Sequence, residues 1–279
     1  MMSYLKAFYT LSNGVHIPKI GFGTWQVPNG DVAYQAVKDA IDAGYIHIDT
    51  AYDYRNEISV GQAIKDSGMP RNQLFVTSKL PSHIKTYEET DAHFHETIRN
   101  LGDDYIDLYL IHAPWPWSDI GKDCKEGNAL AWKKMIELYE AKKIRAIGVS
   151  NFNVSDLEDL IKRTGFVPHV NQIGFFAGQF PKQQETIEYC QKHNILVEAY
   201  SPLAIGHALD NPIVLELAQR YQKTPAQILI RYTLAKNTLP LPKTTKKHRM
   251  IENAAVDFEL DEHDVNILDT LDQDPRKWS

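Results

Sequence analysis

Four side chains in the first 112 residues could together move a proton: Asp49 and Tyr54 in GYIHIDTAYDYRNE (44–57), Lys79 in TSKL (77–80) and His112 in LYLIHAP (108–114). A phenol ionises near pH ~10, too high for easy acid–base work at neutrality, but an adjacent ammonium favours the phenolate and narrows the gap. Lys79 is such an ammonium. Asp49 could keep it charged when partly buried, and His112 could hydrogen-bond a carbonyl oxygen and orient it. The set holds no nucleophile, because GxSxG and a paired Cys and His are both absent, so the chemistry indicated is reduction or proton shuffling rather than acyl transfer. Taken singly, each residue also has a structural reading: Asp49 as a cap on the following turn, Lys79 and His112 as buried strand ends. Only their convergence makes a site.

Convergence depends on the elements that carry them. Short β-rich runs recur as KIGFGTW (19–25), YIHIDTA (45–51), LFVTSKL (74–80), IDLYLIH (106–112), IRAIGVS (144–150), HVNQIGF (169–175), ILVEAYS (195–201) and TLPLPKT (238–244). Between them apolar residues fall at helical spacing, as in Val32, Ala36, Val37, Ala40 and Ile41, and Thr224-Pro225 reads as an N-cap with proline at the first helical position. Eight strands alternating with helices predict an α/β fold, a (β/α)8 TIM barrel, spanning residues 1–279 as one domain. Ahead of the first unit, FYTLSNGVHIP (8–18) alternates around Asn13-Gly14, a type I′ hairpin signal for two short strands closing the barrel's bottom. The competing fold is an open doubly wound sheet, but GFGTWQ lacks the third glycine of its dinucleotide fingerprint. In a barrel the C-terminal strand ends share one rim, so Asp49, Lys79 and His112 become neighbours there and Tyr54 joins from a loop.

Composition narrows the partners. A net charge of −6 over 279 residues argues against a generic polyanion partner such as nucleic acid. Cys124 and Cys190 lack CxxC spacing, and the start MMSYLKAFY has neither a basic nor an apolar leader region, so a reduced, cytoplasmic protein is expected. No apolar stretch approaches the ~18 residues of a membrane span.

The segments GYIHIDTAYDYRNE, TSKL, IDLYLIHAP, IRAIGVSNF, AYSPL and LPKTTKKHRMIENA, in this order along nearly the whole chain, resemble the signatures of the aldo-keto reductases, in particular their microbial diketogluconate and aldehyde reductase group. The resemblance implies a barrel that binds NADPH in extended form, with Asp49, Tyr54, Lys79 and His112 as a catalytic tetrad and the tyrosine as general acid. It further implies that Ser150, Asn151 and Gln172 hold the nicotinamide carboxamide, that Tyr200 stacks on the ring, and that backbone at Ser201 and Leu203 holds pyrophosphate. Lys243, Thr244 and Arg249 resemble the 2′-phosphate clamp, with Glu252 and Asn253 near adenine. Without it, Tyr200 also reads as a core ring, Asn151 as a turn residue and the basic run as a solvated face.

Departures bear on the substrate. Where relatives place tryptophans after the histidine and after SKL, this chain has Ala113 and Pro81, and NQIGFFAG replaces the polar NQxExHP after strand six. Trp25 is expected to form one pocket wall, and Trp115 and Trp117 read either as substitutes for the missing indoles or as loop packing. A wide, less aromatic mouth favours aldehydes, α-dicarbonyls, keto-sugars and keto-sugar acids, bound by a monomer without a metal. Two other classes stay open. One is a metal-dependent barrel hydrolase using His47, Asp49, His112 and Glu198, weakened by the absence of HxH; the other is a non-catalytic, cofactor-binding regulatory member of the fold.

Overall fold

The structure, a computed structural model, describes residues 4–272. A hairpin of β1 (Phe8–Thr10) and β2 (His16–Pro18) comes first. Eight parallel strands follow: β3 (Phe22–Gly23), β4 (His47–Asp49), β5 (Phe75–Leu80), β6 (Ile106–Ile111), β7 (Ile144–Ser150), β8 (Val170–Gly174), β9 (Leu196–Tyr200) and β10 (Leu239–Leu241). Each pairs with the next in sequence, and backbone N–H groups of Gly21 and Gly23 donate to the carbonyls of Pro240 and Pro242 at 3.1 and 3.0 Å. Those two bonds join the first strand to the last and close the barrel. Around it lie α1 (Asp31–Asp42), α2 (Glu57–Asp66), α3 (Tyr87–Leu101), α4 (Lys125–Glu140), α5 (Val154–Thr164), α6 (Phe180–Lys192), α7 (Pro212–Tyr221), α8 (Pro225–Ala235), α9 (Lys247–Ala254) and α10 (Glu262–Asp269). None of these is long and apolar enough to cross a membrane.

All eight expected strands form, most of them shorter than the runs that announce them. β5 and β6 are buried at every position because one face lines the barrel and the other lies under helices. Period two then sorts the side chains. On β6, Leu108 and Leu110 join the interior cluster, while Tyr109 and Ile111 join the outer layer that packs on the helices. The lower interior is apolar, built from Phe75, Leu108, Ala146, Val170 and Leu239, and Leu11 and Ile17 of the hairpin segment complete it. The hairpin therefore plugs the end opposite the strands' C-termini. Climbing β5 on the same face leads from Phe75 through Thr77 to Lys79, from an apolar floor to a charged rim.

Two local expectations change. In the hairpin only Gly14 has positive φ (84°), and its N–H donates to Leu11 O at 2.8 Å, so Ser12–Gly14 is a three-residue loop, not a two-residue type I′ turn. On α1 the buried stripe is Ala33, Ala36, Val37, Ala40 and Ile41; Val32 is 45 % exposed, one residue off the face that meets the barrel. Thr224 does cap α8, accepting from Gln227 N and forming a capping box with Pro225 at the first position.

Gly61 on α2 faces the end of α3, where an added Cβ would stand 2.1 Å from Leu101 O. Alanine has the better helix propensity by ~1 kcal/mol, yet here it meets backbone that cannot rotate away. Gly61→Ala should therefore lower stability by roughly 1–3 kcal/mol in urea unfolding. A gain in stability would mean that the two helices are free to separate.

Candidate active site

The C-terminal ends of the strands bring the four expected groups together. Lys79 is fully buried, and its Nζ donates to Asp49 Oδ1 (2.7 Å), Asp49 Oδ2 (2.9 Å), Thr50 O (2.8 Å) and Tyr54 Oη (3.3 Å). An ammonium removed from water loses several kcal/mol of hydration, so every N–H must find an acceptor. Here they all do. Burial acts against the Lys79 charge, but Asp49 and Tyr54 outweigh it and hold the amine above the usual lysine range.

Tyr54 sits on a single 3₁₀ turn, Tyr52–Tyr54, closed by Arg55 at φ 57° and by the Tyr54 N–H bond to Ala51 O (3.0 Å). Burial of its phenol pushes the pKa up to about 12, against the downward pull of Lys79. This differs from the expected direction: desolvation exceeds the ammonium's effect, and Tyr54 stands as a neutral O–H across the working range. His112 packs edge-on to Tyr54, with ring centroids 5.6 Å apart, and burial lowers its pKa, leaving a neutral imidazole.

Asn56 and Glu57, the end of YRNE, went unassigned in the sequence and turn out to brace this turn. Asn56 Nδ2 donates to Thr24 O and Val27 O, and its Oδ1 accepts from Thr50 Oγ1 at 2.8 Å, tying the Trp25 loop to the strand end beside Asp49. Glu57 accepts from Ser78 Oγ (2.6 Å) and Asn100 Nδ2 (2.9 Å). An amide and a carboxylate two and three residues after the tyrosine were the available signal.

Beneath the tetrad, Gln172 Nε2 donates to Asp49 Oδ2 (2.9 Å) and Glu198 Oε2 (2.8 Å). Both its hydrogens are spent, so the amide oxygen is the atom left for the cavity that Gln172 lines. Glu198 is fully buried, and desolvation with the nearby Asp49 charge raises its pKa into the range of a neutral acid. His47 donates to or accepts from Thr77 Oγ1 at 3.0 Å, and burial lowers its pKa to about 4. Among the described residues no three His, Cys, Asp or Glu side chains are grouped to hold a metal ion.

A cavity of about 650 Å³ opens above these groups. Asp49, Tyr54, His112, Ser150, Asn151, Gln172, Tyr200, Ser201, Leu203, Lys243, Arg249 and Trp25 line it; Lys79 lies below its floor. Thr244, Glu252, Asn253, Ala113 and Trp115 do not. Glu252 accepts from Thr224 Oγ1 at 2.8 Å and Asn253 is buried in the helix layer. Lys243 and Arg249 have no carboxylate partner among the described residues, unlike neighbouring Lys247, which pairs with Asp39 and Asp42. Asn151, at φ 63°, donates to His112 O (3.1 Å) and Ser150 Oγ (3.0 Å) and accepts from Tyr200 Oη (2.9 Å). Gly174 explains one sequence departure: a Cβ there would stand 3.1 Å from the Tyr200 ring, so glycine leaves the ring room beside the strand end.

The APWPW segment supplies a wall through Trp117, edge-on to His112 at 5.8 Å, with Trp115 behind it at 4.9 Å. Lys85 Nζ on Ala113 O (2.8 Å), Asn128 Nδ2 on Pro114 O (2.8 Å) and Trp117 N–H on Ser82 Oγ (3.1 Å) fix its course. Trp25 and Trp117 are both more than two-fifths exposed and face the opening.

Residues 19–273 match the Aldo/keto reductase family, and the chain belongs to it. It is 43 % identical to a glyoxal reductase of Bacillus subtilis over 277 residues, covering 99 % of this chain and 96 % of that one. An aldo/keto reductase structure from Brucella melitensis superposes with a TM-score of 0.88 at 40 % identity, covering 95 % of this chain and 99 % of the other. The structure of a Bombyx mori aldo-keto reductase in complex with NADP superposes at 0.83 with 32 % identity, covering 94 % and 92 %. The protein is thus an oxidoreductase of that family on a (β/α)8 barrel.

The ion pair predicts a non-additive cycle. Asp49→Asn or Lys79→Met alone leaves a buried charge unpaired and should cost about 3–5 kcal/mol. The double variant should lose clearly less than the sum when all four are unfolded in urea, whereas strict additivity would mean that the pair does not interact.

Proposed function

We propose that the protein reduces small carbonyl compounds to alcohols with NADPH, and that Asp49, Tyr54, Lys79 and His112 carry the proton chemistry. The observation that supports this most is the Tyr54 hydroxyl: neutral, hydrogen-bonded to a buried ammonium and beside a neutral imidazole, under a cavity whose other end presents Lys243 and Arg249, without a carboxylate partner among the described residues. NADPH, when bound, supplies hydride. Tyr54 Oη then gives its proton to the carbonyl oxygen as negative charge develops there, and the resulting phenolate is met by Lys79. A phenol that remains protonated is the form a reduction needs, and an alkoxide is basic enough to take its proton. His112 stands where a ring nitrogen can hydrogen-bond the same oxygen and fix its approach.

The residues toward the cofactor fit it chemically. Gln172 offers an amide oxygen that can accept from a carboxamide N–H, Asn151 and Ser150 line the wall beside it with their hydrogens given to His112 O, Ser150 Oγ and Gln172 O, and Tyr200 presents a ring at the cavity wall. Lys243 and Arg249 suit a phosphate, with Ser201 and Leu203 between. The named relative points to glyoxal-like dicarbonyls as substrates. The mouth between Trp25 and Trp117 suits small aldehydes, α-dicarbonyls and keto-sugars.

Two outcomes are expected. Tyr54→Phe should lower kcat by a factor on the order of 10² to 10⁴ in NADPH-dependent glyoxal reduction while NADPH affinity stays near the parent value. Retention of more than about half the rate, with hydride transfer limiting, would remove Tyr54 as the acid. Arg249→Ala should weaken NADPH binding tenfold or more, corresponding to roughly 1.5–3 kcal/mol for a charge-assisted contact, and NADH binding much less. Equal losses in fluorescence titrations would assign Arg249 to something other than the 2′-phosphate.

A further inference from the structure

One cavity-lining charge has no part in that chemistry. Asp53 lies between Tyr52 and the proposed acid Tyr54, its side chain is 30 % exposed, and its Oδ2 stands 3.2 Å from His112 Nδ1. The approach lacks the alignment of a hydrogen bond, and the carboxylate acts on the neutral imidazole through its charge, favouring the protonated form. Burial acts to neutralise the carboxyl, but His112, His83 and a backbone bond from Ser82 outweigh it and keep it ionised. Around His112, Asp53 and Tyr54 face it from the 3₁₀ turn, Lys79 from β5, Asp49 from β4 and Trp117 from the APWPW segment. Lys79, below the floor, and Asp49, in it, compensate each other, and Lys243 and Arg249 belong to the phosphate end. Among the described residues Asp53 is therefore the charge at the carbonyl end that lines the cavity without a Lys or Arg partner.

We propose that Asp53 is a specificity-determining residue that sorts carbonyl substrates by charge, admitting neutral ones and repelling anionic ones, while it holds the Nδ1 edge of His112. A carboxylate adjacent to the reacting carbonyl would be brought into the same small volume as the Asp53 carboxylate, and like charges so placed are strongly disfavoured. Neutral α-dicarbonyls and hydroxylated aldehydes carry no such penalty, and their hydroxyls can donate to Asp53. Keto-sugar acids, expected from the sequence as good substrates, are placed at a disadvantage. The proposal rests on the reductase reading above.

The test compares glyoxal and glyoxylate, which share a skeleton and differ in charge, by kcat/KM with NADPH at pH 7 in the parent enzyme and in Asp53→Asn. The ratio for glyoxylate over glyoxal should rise on the order of tenfold in the variant. In the parent enzyme the discrimination should shrink in ~1 M salt, where the Debye length falls to ~3 Å. Histidine ¹⁵N NMR, with His112 assigned by its absence in His112→Gln, should show His112 titrating at lower pH in Asp53→Asn, because a charge favouring the imidazolium is gone. An unmoved ratio in an active variant, even if both substrates are lost equally, would overturn the charge filter, and an unmoved His112 titration would overturn its hold on the imidazole. A parent enzyme that reduces neither compound would instead overturn the reductase reading itself, and the filter with it.

Discussion

A positive charge buried inside the top of a barrel is the constraint around which the rest of this structure is arranged. Lys79 cannot stand there alone, because lost hydration far exceeds what packing of its methylenes returns. Its acceptors come from one short stretch of chain facing β5: the end of β4, the carbonyl of Thr50 and the turn that carries Tyr54. Satisfying the ammonium therefore fixes the relative position of strand, loop and turn in a single step. The second oxygen of Asp49 then takes a bond from Gln172, which reaches on to Glu198, so the polar order set by one charge extends across the barrel to β8 and β9.

Such a polar interior is tolerable because the lower half of the same barrel is apolar. Leu108, Val170, Leu239 and the hairpin's Ile17 bury fully and exclude water from below. Alternation along each strand keeps those residues on the face that higher up carries Thr77, Lys79, Gln172 and Glu198. Stability and chemistry thus occupy different levels of one strand, and a slip of one residue would destroy both together.

The eight strands and the meeting of Asp49, Tyr54, Lys79 and His112 were legible because both follow one-dimensional rules: period-two burial, and the placing of strand ends on a common rim. Where three-dimensional paths decide, less is legible. Asn13-Gly14 fits a two-residue turn locally, yet the register of Tyr9 on Ile17 leaves three residues for the loop. Ala113 stands where relatives carry an indole, and Trp115 and Trp117 read equally as its substitutes or as loop packing; Lys85 and Asn128 hold that backbone, and Trp117 is the ring that lines the cavity. Glu252 and Asn253 turn toward α8 and the core, leaving Lys243 and Arg249 to the cavity. Asp53 was invisible as a pocket charge because its role depends on a turn whose shape is set by Asn56, a partner of Thr24 and Val27 some thirty positions upstream.

Burial keeps Tyr54 protonated while Lys79 restrains how far its pKa climbs, and this balance can be measured. It is tested most directly by ¹³C NMR of ζ-labelled tyrosine, with Tyr54 assigned by its absence in Tyr54→Phe. The phenol should titrate well above the ordinary value of ~10, toward about 12, and higher still in Lys79→Met. Titration at or below ~10 in the parent protein, or no response to the loss of Lys79, would contradict the account.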